Sequence, residues 1–209
     1  MDYRILEKLG EKKLLPLYTA TDLAYLKDLE GVLLENDLPL VEVTFRSDLA
    51  GTAIHRLAQS GRLIVGAGTV RTLAEAHEAV AAGAQFLVSP ALVPEVCDYC
   101  KKEEILLLPG VATPSEIQQA VAMGFSVVKF FPAHVYGGLS AIQALSGPFY
   151  DVQFVPTGGI RKENYLDYAQ HPQVLAMGGS FILSERMLKE EGRAATAQHL
   201  AGLVAGLSK

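Results

Sequence analysis

The sequence predicts an α/β fold: a (β/α)8 TIM barrel with an extra N-terminal helix. Three observations carry that prediction. Eight short apolar runs, rich in Val, Ile, Leu and Phe, recur along the 209 residues, about 26 residues of chain for each run, short but allowed for this barrel. Stretches with helical periodicity separate them. Most of the runs end in Gly, Pro, Ser or Thr, as buried parallel strands do. An open doubly wound sheet is the competing architecture. It usually has fewer strands and a GxGxxG turn after the first, whereas the first run here ends in Tyr18-Thr19-Ala20.

Taken in order, residues 2–13 read as a helix ahead of the first strand, placed to plug the bottom of a barrel. The first strand is LLPLYT (14–19), and Thr21-Asp22 is a start signal for the helix LAYLKDLEGVLL. The second and third strands are LVEVTF (40–45) and LIVGAG (63–68). In the helix AEAHEAVAAGA, Ala76, Ala79, Val80 and Gly83 share one face while Glu75 and Glu78 point away. FLVSP (86–90) is the fourth strand, and a helix holding Cys97 and Cys100 follows it. ILLLPG (105–110) is the fifth; Thr113-Pro114-Ser115-Glu116 then offers a cap, a proline at the first helical position and a capping box. VVKFFPA (127–133), VQFVPTGG (152–159) and VLAMGGS (174–180) complete the set. The stretch RAATAQHLAGLVAGL, after residue 190, reads as a closing amphipathic helix. Neither low-complexity sequence nor a linker interrupts this rhythm, so residues 1–209 read as a single domain.

Composition narrows the function. The chain is 50% hydrophobic and 20% charged with a net charge of −5, too apolar and too evenly charged for disorder. Scattered basic residues on an acidic chain argue against nucleic acid as a partner. A small phosphorylated metabolite stays compatible, because one pocket can be positive on an acidic protein. Charges run through MDYRILEKLGEKKLL, unlike a signal peptide, and no window nears a spanning helix. Two cysteines make no disulfide framework. A cytoplasmic protein without a membrane partner is expected.

A barrel places its chemistry at the C-terminal ends of its strands. In LVEVTFRS, alternation sets Glu42, Thr44 and Arg46 on one face and Val41, Val43 and Phe45 on the other. The apolar face should meet the helices, which aims Glu42 and Arg46 inward. In VVKFFPA, Lys129 shares its parity with Val127 and Phe131, so its amine should sit among apolar groups. In water roughly one lysine in 2,500 is neutral and nucleophilic at pH 7. Burial and a nearby cation raise that fraction, which is how an imine-forming lysine is made. Taken singly, Glu42 and Arg46 are explained equally well as a structural pair; for Lys129 the structural alternative, a snorkelling or ion-paired side chain, is the weaker one. Together, a buried amine beside an acid favours catalysis.

Glycine-rich ends form the third element. PTGGI (156–160) and MGGS (177–180) each lead toward a helix at the seventh and eighth strand ends, the usual phosphate position of this barrel. Thr69 in GAGT and Thr157 in PTGG add hydroxyls at strand ends, Ser180 adds one to the phosphate loop, and Ser89-Pro90 and Phe131-Pro132 shape a pocket wall. Cys97-x-x-Cys100 lacks a second pair for zinc. The five histidines lack ligand spacing, and only His134 falls near a strand end. A metal is not expected.

These segments resemble the class I aldolases of the 2-keto-3-deoxy-6-phosphogluconate and 4-hydroxy-2-oxoglutarate type. VEVTFRS, GAGTV, FLVSP, PGVATPSE, KFFPA, GPF, PTGGI and GGS arrive in that family's order, over about residues 40–181. The first strand, LLPLYTATD, departs from the more uniformly apolar sequence expected there. The resemblance implies a (β/α)8 barrel assembled as a homotrimer, with no cofactor and a phosphorylated keto acid as substrate. It implies a Schiff base on Lys129 and proton transfer by Glu42. Arg46 and Thr69 would hold a carboxylate, with Pro90 and Phe131 lining the site. Thr157, Gly158 and Gly159, with Gly178, Gly179 and Ser180, would hold phosphate. The C4-epimeric phosphogalactonate aldolase is a rival within the class. A phosphosugar isomerase or epimerase, or a non-catalytic phosphosugar-binding barrel, are rivals outside it.

Overall fold

The computed structural model of the chain describes residues 3–207. Asp2, assigned above to the first helix, and the outermost ends of the 1–209 span lie outside them. Nine parallel strand segments occur among the described residues: β1 (Leu14–Tyr18), β2 (Leu40–Thr44), β3 (Ile64–Gly68), β4 (Phe86–Val88), β5 (Leu106–Leu108), β6 (Gly110–Val111), β7 (Val127–Phe130), β8 (Gln153–Pro156) and β9 (Met177–Gly179). They alternate with α1 (Tyr3–Lys12), α2 (Leu26–Glu35), α3 (Ala50–Gln59), α4 (Leu73–Ala81), α5 (Pro94–Lys102), α6 (Pro114–Ala122), α7 (Gly138–Ser146) and α8 (Tyr165–Ala169). Two further helices, α9 (Glu185–Glu190) and α10 (Gly192–Leu207), follow β9.

The strands pair in the orders β5-β4-β3-β2-β1-β9 and β6-β7-β8. The fifth expected strand is broken in two, because Pro109 has no N–H to give a ladder. Its carbonyl instead accepts from Lys129 N at 2.9 Å. Leu106–Leu108 pairs with β4 and Gly110–Val111 with β7, so the chain passes from one sheet to the other at this proline. Single bridges, Phe154 with Val174 and Thr157 with Gly178, join the β8 segment to the β9 segment. The result is an α/β fold with parallel strands in a curled, TIM-like sheet.

Two apolar cores follow from the period-two alternation of the strands. Val41, Val43, Val65, Val128 and Phe130 face the helices. Leu15, Leu40, Phe86, Leu106, Val127 and Val155 face the opposite, concave side, where Ile5 and Leu9 of α1 join them. Gly66 leaves room for Phe86: a Cβ there would lie 2.2 Å from the ring. The lower concave layer is therefore hydrocarbon, and full burial of a Phe contributes about 2–3 kcal/mol.

Helix starts follow their local signals. Thr113 and Glu116 form the expected capping box, Thr72 and Glu75 form another on α4, and Asp22 caps a short 3-10 turn before α2. On α4 the buried face is Ala76 and Ala79; Gly83 lies past the helix, with φ +100, as an exposed terminator. At the other end of the chain, α10 buries Thr196, Leu200 and Leu203.

Glu185 received no role from sequence, yet it ties the exit of β1 to α9. Its buried carboxylate accepts from Thr21 N at 2.7 Å, Asp22 N at 3.2 Å and Tyr18 Oη at 3.2 Å, from the Thr21 hydroxyl, and from Lys189 at 2.5 Å. Burial pushes its pKa up, but Lys189 and the Thr21 donors outweigh that and leave it below the ordinary 4.5. A depressed folded pKa gives stability that is present above the unfolded value and lost as pH falls through the folded one. Glu185→Ala should cost about 2 kcal/mol at pH 7, read by urea denaturation. Its deficit relative to the unsubstituted protein should shrink below pH 4.5.

Candidate active site

Parity on two strands brings the chemistry together. Glu42 lies on the Leu40 side of β2 and Lys129 on the Val127 side of β7, both facing the concave interior above the hydrocarbon layer. Lys129 Nζ stands 3.6 Å from Glu42 Oε1, with the side chains 2% and 1% exposed. Phe131 covers the amine, its ring centroid 5.1 Å from Nζ. Neither carboxylate oxygen of Glu42 has a hydrogen-bond partner among the described residues. Burial therefore raises the Glu42 pKa, a shift opposed in part by the nearby charges of Lys129 and Arg46. Room for this carboxylate comes from Gly68, where a Cβ would sit 2.0 Å from Oε1.

Arg46 departs from the alternation that aimed it inward. β2 ends at Thr44, and the chain turns there, with Arg46 N donating to Thr44 O at 2.8 Å. Its exposed guanidinium reaches along the rim and donates from Nε to Thr69 Oγ1 at 3.2 Å. No Glu42–Arg46 ion pair forms among the described residues. Thr69 itself sits at φ +59, a strained conformation for a β-branched residue, costing about 1–3 kcal/mol. The two residues line an open cleft of about 630 Å³ that neither Lys129 nor Glu42 lines, so that buried pair lies below the rim. Sequence reasoning missed a contact here: Thr44 and Thr19 share a hydroxyl hydrogen bond of 2.7 Å. The parity of Thr44 with Glu42 was its only local signal.

The remaining wall residues also converge. The Pro90 backbone packs on Gly110, where a Cβ would be 2.3 Å from the Pro90 carbonyl carbon. Gly158 lies under Pro132 and Phe131, and Gly159 under His134. Thr157 is buried, and a Cβ on Gly178 would strike its hydroxyl at 2.4 Å, so the two glycine loops touch. Gly179 packs on Phe181, and Ser180 is exposed at the following turn. Each glycine segment leads toward a helix across a short stretch of chain: α8 starts at Tyr165 and α9 at Glu185. Cys97 and Cys100 lie apart, buried on α5 with thiols pushed up to about 11 and 12 by burial. No group of three metal-ligating side chains gathers among the described residues.

Two glycine substitutions separate site packing from helix propensity. Gly68→Ala should cost about 1–3 kcal/mol by overpacking Glu42. Gly202→Ala, on α10 with nothing within 4 Å, should stabilise by about 0.5–1 kcal/mol. Urea denaturation of both variants checks the pair.

Comparison with known proteins places this geometry. A family model described as KDPG and KHG aldolase matches residues 5–198. The 2-dehydro-3-deoxy-phosphogluconate aldolase of Treponema pallidum is 41% identical over 180 residues, 86% of either chain. The enzyme of that name from Haemophilus influenzae is 38% identical over 188 residues, 89% of this chain and 88% of its own. The KDPG aldolase of Legionella pneumophila, solved with pyruvate captured as a covalent carbinolamine, superposes with a TM-score of 0.91 at 34% identity. That match covers 95% of this chain and 97% of the other. The chain belongs to the KDPG and KHG aldolase family.

Proposed function

We propose that this protein is a class I aldolase that cleaves 2-keto-3-deoxy-6-phosphogluconate (KDPG) to pyruvate and glyceraldehyde 3-phosphate. Cleavage of 4-hydroxy-2-oxoglutarate (KHG) to pyruvate and glyoxylate is its second reaction. The observation that carries this reading is the Lys129–Glu42 pair, 3.6 Å apart and buried on the concave side of β2 and β7. The carbinolamine in the Legionella pneumophila relative supports it.

The neutral Lys129 amine attacks the C2 ketone, and protonated Glu42 gives its proton to the departing hydroxyl, so that loss of water leaves a protonated imine beside the Glu42 carboxylate. Glu42, directly or through a water, takes the proton of the C4 hydroxyl. The C3–C4 bond breaks, its electron pair flows into the imine to form an enamine, and the aldehyde departs. Glu42 returns a proton to C3, and water hydrolyses the imine to release pyruvate and free Lys129. A carboxylate without fixed hydrogen-bond partners suits this exchange, since nothing else competes for its proton. Arg46 clamps the C1 carboxylate with help from Thr69, which orients C2 toward the lysine. Pro90 and Phe131 line the pocket. Thr157, Gly158 and Gly159, with Gly178, Gly179 and Ser180, take the phosphate.

Around this site we place one domain, residues 1–209, built as a closed (β/α)8 barrel. The crossing at Pro109 and the bridges between the β8 and β9 segments support closure. In this arrangement α1 is the extra helix that covers the N-terminal end of the barrel. The assembly is a homotrimer in the cytoplasm. Exposed Val135 and Tyr136 beside the site offer it an apolar contact, and the two free, buried cysteines suit a reducing compartment.

Steady-state cleavage assays test the activity. Lys129→Met should remove turnover of 2-keto-3-deoxy-6-phosphogluconate, and retained turnover would refute the Schiff base. Because burial raises the Glu42 pKa, the acidic limb of kcat/KM should lie above pH 4.5. That limb should vanish in Glu42→Gln, with activity reduced about 10²–10⁴-fold. Equal rates on the two C4 epimers would remove the stated substrate preference. Light scattering should give three times the 22.5 kDa chain mass, and a monomer would contradict the trimer.

A further inference from the structure

The turn that opens at Ser180, after β9, is gripped by the last helix. His199 on α10 places Nε2 2.7 Å from the carbonyl oxygen of Phe181, the residue after Ser180. A carbonyl only accepts, so Nε2 carries the hydrogen and donates it. The Phe181 ring is fixed as well. It lies against Gly179, where a Cβ would be 2.5 Å from the ring, and its centroid is 6.3 Å from that of Tyr165. Tyr165 in turn donates its hydroxyl hydrogen to Leu203 O, again on α10, at 3.0 Å. His199 neighbours the buried Leu200 of α10 and is itself only half-buried. Its ring therefore stands at the edge of the helix's buried face. It lines, with Ser180, Ser184 and Arg161, a cavity of about 620 Å³.

We infer that His199 is a positioning residue for phosphate recognition. It holds the Phe181 peptide and so aims the Ser180 hydroxyl and the N–H groups of this turn at the substrate's phosphate. The carboxylate end of the substrate and the Lys129–Glu42 pair do not depend on it. This role rests on the phosphate site proposed above, and the experiment separates the two.

Cleavage of 2-keto-3-deoxy-6-phosphogluconate is measured beside exchange of the pyruvate methyl hydrogens in D2O. Exchange uses the same lysine and carboxylate but involves no phosphate. His199→Ala should raise KM about three- to tenfold, the effect of one net hydrogen bond, while kcat and the exchange rate stay within about twofold. His199→Gln, which keeps an N–H donor, should recover most of the loss. A parallel fall in exchange would mean a general structural role and overturn the inference, as would an unchanged KM. Ser180→Ala marks the difference. If it raises KM while His199→Ala does not, the phosphate site stands and the role of His199 falls. If Ser180→Ala has no effect, the phosphate site falls and takes this inference with it.

Discussion

The structure turns on one costly act, the burial of a carboxylate and an amine side by side without hydrogen-bond partners for the carboxylate. Desolvating either charge alone is expensive, and a buried pair recovers that cost only when its geometry is well satisfied. Here the geometry is left loose: 3.6 Å separates Nζ from Oε1, and neither Glu42 oxygen has a hydrogen-bond partner among the described residues. Such an arrangement is poor for stability and good for chemistry, because a proton can leave and return with little reorganisation. Its surroundings bear the cost. Below the pair lies a hydrocarbon layer of Leu40, Phe86, Leu106, Val127 and Val155. Above it lie the Phe131 ring and the Thr19–Thr44 hydroxyl pair.

Parallel strands dictate how that pair is assembled. Glu42 and Lys129 come from segments far apart in sequence, yet each obeys the two-residue alternation of its own strand. That local rule made both legible: the apolar parity of Val41 and Val43, or of Val128 and Phe130, leaves only the concave side for the charged residue between them. The same rule failed at Arg46, because alternation holds only while the strand lasts, and β2 stops at Thr44. The eight apolar runs each contain strand residues, but ILLLPG splits at a proline that sequence treated as a terminator. Capping boxes were equally readable, since Thr113 and Glu116 meet within one turn.

What sequence could not show are contacts between elements that only the fold brings together. Glu185 meets Thr21, and His199 meets Phe181, through backbone groups that carry no sequence signature. Thr19 meets Thr44 only because β1 and β2 lie side by side. The glycine loops show the intermediate case. Their composition announced close approach, and Gly178 does press on Thr157. Their distance from the next helix had no such signal. At the strand ends local rules run out, and there Glu185 of α9 and His199 of α10 hold backbone groups of Thr21, Asp22 and Phe181.

Trapping of pyruvate on the folded protein tests the centre of this picture most directly. The protein is incubated with pyruvate and borohydride, digested, and mapped by mass spectrometry. A reduced adduct confined to Lys129, and missing from Lys129→Met, is the expected result. No adduct, or one spread over surface lysines, would show that the buried amine is not the nucleophile.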